Sequence, residues 1–177
     1  MDIPQRCRDE EGYLVRQHLM KDIPYGRRTV AKTGCGFMAV YNAAQYFALP
    51  VTESEVWRYF HRHVFLGGIM GTTIFHVCQG LRRFGMKVTG VRYRDLKGAK
   101  AGILWYHTGR SRHYVLVRRC EDGRYAFPNS SAPGPMTFPE FYGRYVKHLR
   151  LPPLLDLPIM FTVTAARRDK TAADSKD

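Results

Sequence analysis

The chain has 177 residues, of which 45% are hydrophobic and 13% aromatic; that length suits one domain, and the apolar content supports a packed core and excludes global disorder. No apolar run approaches the roughly 20 residues a bilayer-spanning helix needs. The start, MDIPQRCRDEEGYLVRQ, lacks the basic-then-apolar layout of a secretory signal, so a cytoplasmic location is expected.

The formal net charge is +13, with a pI of about 9.9. Between Val56 and Leu155, Lys and Arg far outnumber the acids. A surface of this sign attracts nucleic acid, anionic membrane or acidic protein partners. The arginines are scattered, however, and no nucleic-acid module signature is present. A nucleic-acid partner is therefore compatible with the charge but not favoured over a peptide or protein substrate. Four cysteines, Cys7, Cys35, Cys78 and Cys120, form no CxxC pair. That argues against a structural zinc site, and their number is too low for a disulfide framework. No metal and no cofactor is expected. Cys78 and Cys120 read as small core hydrophobes and Cys7 as an exposed residue of a polar segment.

Residues 1–20 are mixed and charged, with a short helix expected from Tyr13 to Met20, and are read as an N-terminal extension. Pro24-Tyr25-Gly26 marks a turn. From Gly36 to Ala48 the only polar side chains are Asn42 and Gln45; a helix apolar on nearly every side belongs in the centre of a domain. Leu49-Pro50 ends it. Thr52-Glu53-Ser54-Glu55 is a capping box opening a second helix to about Val64. Ile74, Val77, Cys78 and Leu81 recur at helical spacing, and Gly85 suits a C-cap. The period then changes: Met86–Tyr93, Ala101–His107, His113–Cys120 and Arg124–Phe127 read as strands, with a two-residue hairpin turn at Asp122-Gly123. A second capping box, Thr137 to Glu140, opens a helix with Phe138, Phe141, Tyr142, Tyr145 and Leu149 on one face. Pro152-Pro153 breaks the chain, Ile159–Ala166 reads as a last strand, and 167–177 as a disordered tail. Helices first and mainly antiparallel strands afterwards predict an α+β domain over residues 21–166, with a central helix that starts at Cys35 and packs on the sheet.

Cys35 lies between two glycines at the start of the buried helix. Unpaired N–H groups and the helix dipole favour an anion there, which depresses a thiol pKa and makes a better nucleophile. The flanking glycines allow a substrate backbone to approach, and the Cys35 N–H is placed to hold an oxyanion. His113, at a strand end beside the loop Thr108 to Arg112, is the candidate base, with His107 as its competitor. Asn129 follows the next strand, and its side chain is the candidate for orienting the His113 ring. In a simple hairpin register Asn129 falls opposite Leu116, about 10 Å short of His113, so a bulge or a bend at Pro128 must close the gap. His76 reads as structural, and His61 and His63 as solvated, their spacing unsuited to sharing a metal.

The block GCGFMAVYNAAQYF, followed far downstream by RHYVLVRR and YAFPNS, resembles the C39-like branch of the papain-like cysteine peptidases. In that branch a Cys starts the central helix, a His starts a strand, and an Asp or Asn follows the next strand. The resemblance spans roughly residues 22 to 130 and implies a papain-like fold, with Cys35, His113 and Asn129 as a catalytic triad. Such enzymes usually carry a Gln a few residues before the nucleophile as an oxyanion donor. Here the segment reads RRTVAKTG, without Gln, and Thr29, six residues before Cys35, is the candidate substitute. The expected function is a thiol hydrolase, a cysteine peptidase working through a Cys35 acyl-enzyme. The alternatives are an acyl or amide transferase on the same Cys-His scaffold, or a catalytically degenerate papain-like binding module with a basic surface.

Overall fold

In the computed structural model, which describes residues 2–68, 71–92, 96, 98–109, 111–147 and 158–166, every residue from Gly36 to Ala44 of helix α2 (Cys35–Tyr46) is buried. A segment with no charged side chain can be enclosed on all sides without leaving an unpaired ion, and α2 takes the central position the sequence predicts. Asn42 is its one buried polar side chain. Its amide oxygen accepts the Leu14 N–H at 2.8 Å and its amide nitrogen donates to the Leu14 carbonyl at 2.9 Å. Both faces of the amide are thus satisfied by one extended residue of the N-terminal segment.

That contact makes the first twenty residues, expected as an extension, part of the domain core: Ile3, Cys7, Tyr13, Leu14 and Met20 are buried in the same cluster as α2. Cys7, expected to be exposed, is fully buried. The helix expected from Tyr13 to Met20 shrinks to a 3-10 turn at Gln17–Leu19. The cause is local: Leu14 is bridged to Arg8 and bonded to Asn42 in an extended conformation, which a helix would forbid.

A two-residue hairpin, β1 (Pro24–Tyr25) and β2 (Arg28–Thr29), leads into the single turn α1 (Val30–Thr33) and then α2. Both capping boxes form. Thr52 opens α3 (Glu53–Arg62) and Thr137 opens α5 (Phe138–Tyr145), each with a reciprocal Thr–Glu bond pair. Helix α4 (Ile74–Arg83) starts at Thr73, whose hydroxyl accepts the His76 N–H, and is followed by Gly85 at φ +78.

Five strands form the sheet: β3 (Met86–Arg92), β4 (Ala101–His107), β5 (Arg112–Arg119), β6 (Tyr125–Ala126) and β7 (Ile159–Ala165), in spatial order β3-β7-β4-β5-β6 with every pairing antiparallel. One face, through Ile103, Tyr114, Leu116, Phe161 and Val163, joins the α2 core. The other, through Leu104, Val115, Val117 and Met160, packs with Phe127 and the α5 residues Phe138 and Phe141. The result is a mixed α+β domain on a mainly antiparallel sheet. No helix among the described residues is long and apolar enough to cross a membrane. Leu149, Pro152-Pro153 and residues 167–177 lie outside the described residues.

The β5–β6 connection differs from the two-residue turn read from Asp122-Gly123. Cys120 N–H donates to the Arg124 carbonyl at 2.8 Å and Gly123 takes φ +80, giving a three-residue loop from Glu121 to Gly123. The extra residue shifts the register by one, to Arg118↔Ala126 and Arg119↔Tyr125. The strand expected as Arg124–Phe127 keeps only two residues, because the chain bends away at Phe127-Pro128.

Replacing Asn42 by Leu, which keeps its bulk, should leave both backbone groups of Leu14 buried and unpaired. The expected loss is about 3 kcal/mol of unfolding free energy. Urea denaturation should show a lowered midpoint at unchanged slope.

Candidate active site

The site begins at the junction of α1 and α2. Gly34 closes α1 by donating to the Val30 carbonyl at 2.9 Å, and its own carbonyl accepts from Met38 at 3.1 Å. Both glycines beside Cys35 are buried. A Cβ on Gly34 would come within 2.6 Å of Val30, and one on Gly36 within 2.9 Å of the Thr72 Cβ. Their small size therefore serves close packing of α1 and Thr72, not the approach of a substrate backbone that the sequence suggests. The Cys35 side chain, by contrast, is partly exposed.

Across from it stands His113, the second residue of β5. Strand β6 pairs only with Arg118 and Arg119, so the first half of β5 keeps an unpaired edge on that side. There the Tyr114 N–H and the His113 ring face Cys35 closely enough to lower its thiol, and Cys35 and His113 line one cavity. The other end of the ring is fixed: His113 Nε2 lies 2.7 Å from the Asn129 carbonyl oxygen. A carbonyl only accepts, so Nε2 carries a proton and Nδ1 is the nitrogen left for the sulfur.

Asn129 thus reaches His113, but through its backbone. The bend anticipated at Pro128 exists: Ser130 N–H donates to the Phe127 carbonyl at 3.0 Å, and Asn129 is left-handed at φ 65, a conformation Asn tolerates. This turn swings the carbonyl toward the imidazole and the side chain away from it. The side-chain amide nitrogen donates instead to Gln17 Oε1 at 3.2 Å, and Gln17 Nε2 donates to the Val30 carbonyl at 2.9 Å. Gln17 therefore ties Asn129 to the turn that carries Cys35. The segment just before Cys35, RRTVAKTG, carries no glutamine, and this one is not signalled by a short spacing to the thiol. It arrives from a separate turn eighteen positions upstream.

Thr29, the candidate oxyanion donor, ends β2 as the residue preceding α1 and lines neither cavity beside Cys35. His107, the competing base, accepts from the Gly109 N–H at 2.9 Å in the β4–β5 connection. His61 stacks on Trp57 and His63 on Tyr59. His76 pairs with Thr73 at the start of α4. Among the described residues no group of His, Cys, Asp or Glu is placed to hold a metal ion.

Opposing effects set the charge of the pair. Burial pushes the Cys35 thiol up, but the hydrogen bond and charge of His113, with the N–H groups of Tyr114 and Gly36, outweigh it and leave the thiol below its usual range. Burial pushes His113 down, and the Cys35 hydrogen bond and charge, with the Asn129 carbonyl, more than reverse it. A lowered thiol and a raised imidazole both favour a thiolate–imidazolium pair. The neighbouring phenols of Tyr25, Tyr106 and Tyr114 are pushed up, first by burial and further by the Cys35 charge, and stay neutral.

Cys35 sits where two cavities meet. One, of about 460 Å³, holds Gln17, Tyr106, His113, Asn129 and Ser130. The other, of about 610 Å³, runs past Thr72 and Thr73 toward Phe65, Phe75 and Trp105. Lys32, Ser111 and Arg112 border both.

The rate of Cys35 alkylation by iodoacetamide should follow thiol ionisation with a midpoint below that of free cysteine. His113→Ala should move that midpoint up, since burial then loses its main opponent. Gln17→Ala should move it up less and slow alkylation at neutral pH about fivefold, the worth of one ~1 kcal/mol hydrogen bond. An unchanged midpoint in Gln17→Ala would show that the Gln17–Asn129 tie does not position the ring.

No family model matches the chain, and no curated protein matches it. Among solved structures it is similar to the crystal structure of a double glycine motif protease from an AMS/PCAT transporter in complex with the leader peptide, at a TM-score of 0.48 and 16% sequence identity, over 75% of this chain and 84% of that one.

Proposed function

We propose that the chain is a thiol hydrolase of papain-like type, a cysteine peptidase that cleaves peptide bonds through an acyl-enzyme on Cys35. The observation that carries this reading is that Cys35 and His113 face each other on one cavity wall, the thiol lowered and the imidazole raised, with Cys35 at the meeting point of two cavities. A thiol that was merely structural would be raised by its burial, as Cys7 and Cys78 are.

In the proposed reaction the Cys35 thiolate attacks the substrate carbonyl carbon, and the carbonyl π electrons move to oxygen. The Cys35 N–H at the start of α2 supports the resulting oxyanion. As the C–N bond breaks, the leaving amine takes the proton from His113 Nδ1, and a thioester remains. Water then gives a proton to Nδ1 while its oxygen attacks the thioester. The C–S bond breaks, releasing a carboxylic acid and restoring the thiolate–imidazolium pair. The Asn129 carbonyl keeps the second proton on Nε2 throughout, so one defined nitrogen does the transfer. With Asn129 acting through its backbone, the triad of side chains becomes a thiol, an imidazole and a main-chain carbonyl.

The test is turnover of a mixture of quenched fluorescent peptides by the purified chain, with trapping of the acyl-enzyme by mass spectrometry. Cys35→Ala and His113→Ala should each lower turnover at least ~10³-fold while preserving the circular dichroism spectrum and melting temperature. Asn129→Gly keeps the carbonyl and the left-handed backbone, so it should retain activity within about tenfold of the parent. Activity should fall on the acid side as Cys35 protonates and on the alkaline side as His113 loses its Nδ1 proton. Turnover surviving in Cys35→Ala would refute the proposal.

A further inference from the structure

The larger cavity beside Cys35 has an unusual lining. Among the described residues it carries three exposed cations, Arg28, Lys32 and Arg112, and no Asp or Glu, and the smaller cavity likewise has no acid. None of the three cations is engaged in an ion pair among the described residues. Arg112 lies over the Trp105 ring at 4.8 Å, a contact that holds the guanidinium beside this cavity without neutralising it.

Interleaved with these charges is an exposed apolar surface. Phe65 is 43% exposed and Phe75 64%, and both line the groove; Leu66, next to Phe65, is 60% exposed. Such side chains are ordinary when single, but here Phe65 and Phe75 line one cavity and Leu66 adjoins Phe65 in sequence. The loop presenting Phe65 and Leu66 is fastened in place. Arg27 N–H donates to the Gly67 carbonyl at 2.6 Å and Phe65 N–H to the Gly71 carbonyl at 3.0 Å, while Leu66 itself is held left-handed at φ 48.

Resting on the peptidase reading, we propose that this groove binds the part of a peptide substrate in which acidic residues alternate with bulky apolar ones, the carboxylates meeting Arg28, Lys32 and Arg112 and the apolar side chains meeting Phe65, Phe75 and Trp105. The apolar part of the lining favours a peptide over a nucleic acid: exposed Phe65 and Phe75, with Ile74 beside them, would be covered by bulky apolar side chains, which a phosphate backbone does not carry.

The test uses the full chain carrying Cys35→Ala and three fluorescein-labelled peptides of equal length: one alternating Glu with Leu and Phe, one with Lys in place of Glu, and one with Ser in place of Leu and Phe. Fluorescence anisotropy at low salt should show the first binding at least about tenfold tighter than either of the others. Raising the salt concentration should shrink the gap to the Lys peptide and leave the gap to the Ser peptide nearly unchanged. Arg28→Glu with Lys32→Glu should lower affinity for the acidic peptide about tenfold. Phe75→Ser, at a position exposed enough to spare the fold, should lower it several-fold. Equal binding of the Lys peptide, indifference to the double charge reversal, or tighter binding of a single-stranded oligonucleotide of matched length would each overturn the proposal. Cleavage of all three peptides alike by the parent chain would overturn it while leaving the peptidase reading intact. Selective binding without cleavage would support the groove and count against the peptidase reading.

Discussion

The site depends on the bond between His113 Nε2 and the Asn129 carbonyl, 2.7 Å long. A side-chain amide in that place can rotate and offer either a donor or an acceptor, but a carbonyl only accepts. The proton is therefore confined to Nε2, and the lone pair or transferable proton of the ring is confined to Nδ1, on the sulfur side. The acceptor has to be immobile for this to hold, and the surrounding chain makes it so. Asn129 is buried, its backbone is turned by the bend after Phe127, and its amide is bound to Gln17, which is anchored on the Val30 carbonyl. Val30 is also the residue whose carbonyl closes the turn before Cys35. Thiol and imidazole are thus referred to the same piece of backbone from opposite directions.

A charged pair in this position is expensive, because desolvation acts against both ions. Its largest opponent is the hydrogen bonding of the two groups to each other, followed by their mutual charge attraction and reinforced by the N–H groups of Tyr114 and Gly36 and by the Asn129 carbonyl. The short length of β6 is part of the same arrangement. Had β6 continued along β5, the Tyr114 N–H would have been spent on a ladder bond and the edge closed to Cys35. The three-residue loop at Glu121 to Gly123 and the bend at Pro128 end the ladder early and leave that edge free. The glycines around Cys35 then set the depth of the sulfur, by letting Val30 and Thr72 come close on either side.

The two cavities divide the surroundings of the thiol by chemistry. The smaller contains the polar groups that hold the imidazole; the larger contains cations that form no ion pair among the described residues, beside the aromatic rings of Phe65, Phe75 and Trp105. Under the proposed function, the first is where the reacting bond is held and the second is where a substrate is chosen. The overall charge of +13 is not informative about a partner by itself. Under the proposed function it becomes so because no acid among the described residues lines either cavity beside Cys35, where the field would act on a bound peptide.

The elements whose boundaries rest on short-range physics were legible in the sequence. The two capping boxes, the all-apolar run of α2, the helical spacing of Ile74 to Leu81 and the change of period after Gly85 each concern neighbours within a few residues, and each appears near its expected place. Cys35 at the start of α2 and His113 at the start of β5 were legible for the same reason. What the sequence left open were the contacts that join distant segments. The burial of Cys7 and Leu14 follows from Asn42, some thirty positions later. The use of the Asn129 carbonyl in place of its side chain follows from a one-residue change in hairpin register and a left-handed backbone. The role of Gln17 exists only because a 3-10 turn, Val30 and Asn129 converge. Short-range patterns set which segments become helices and strands and where two reactive side chains sit on them. The direction each polar group faces is settled by packing among segments far apart in the chain, because a rotation of one backbone turn costs little locally and is decided by whichever distant partner satisfies the buried hydrogen bond.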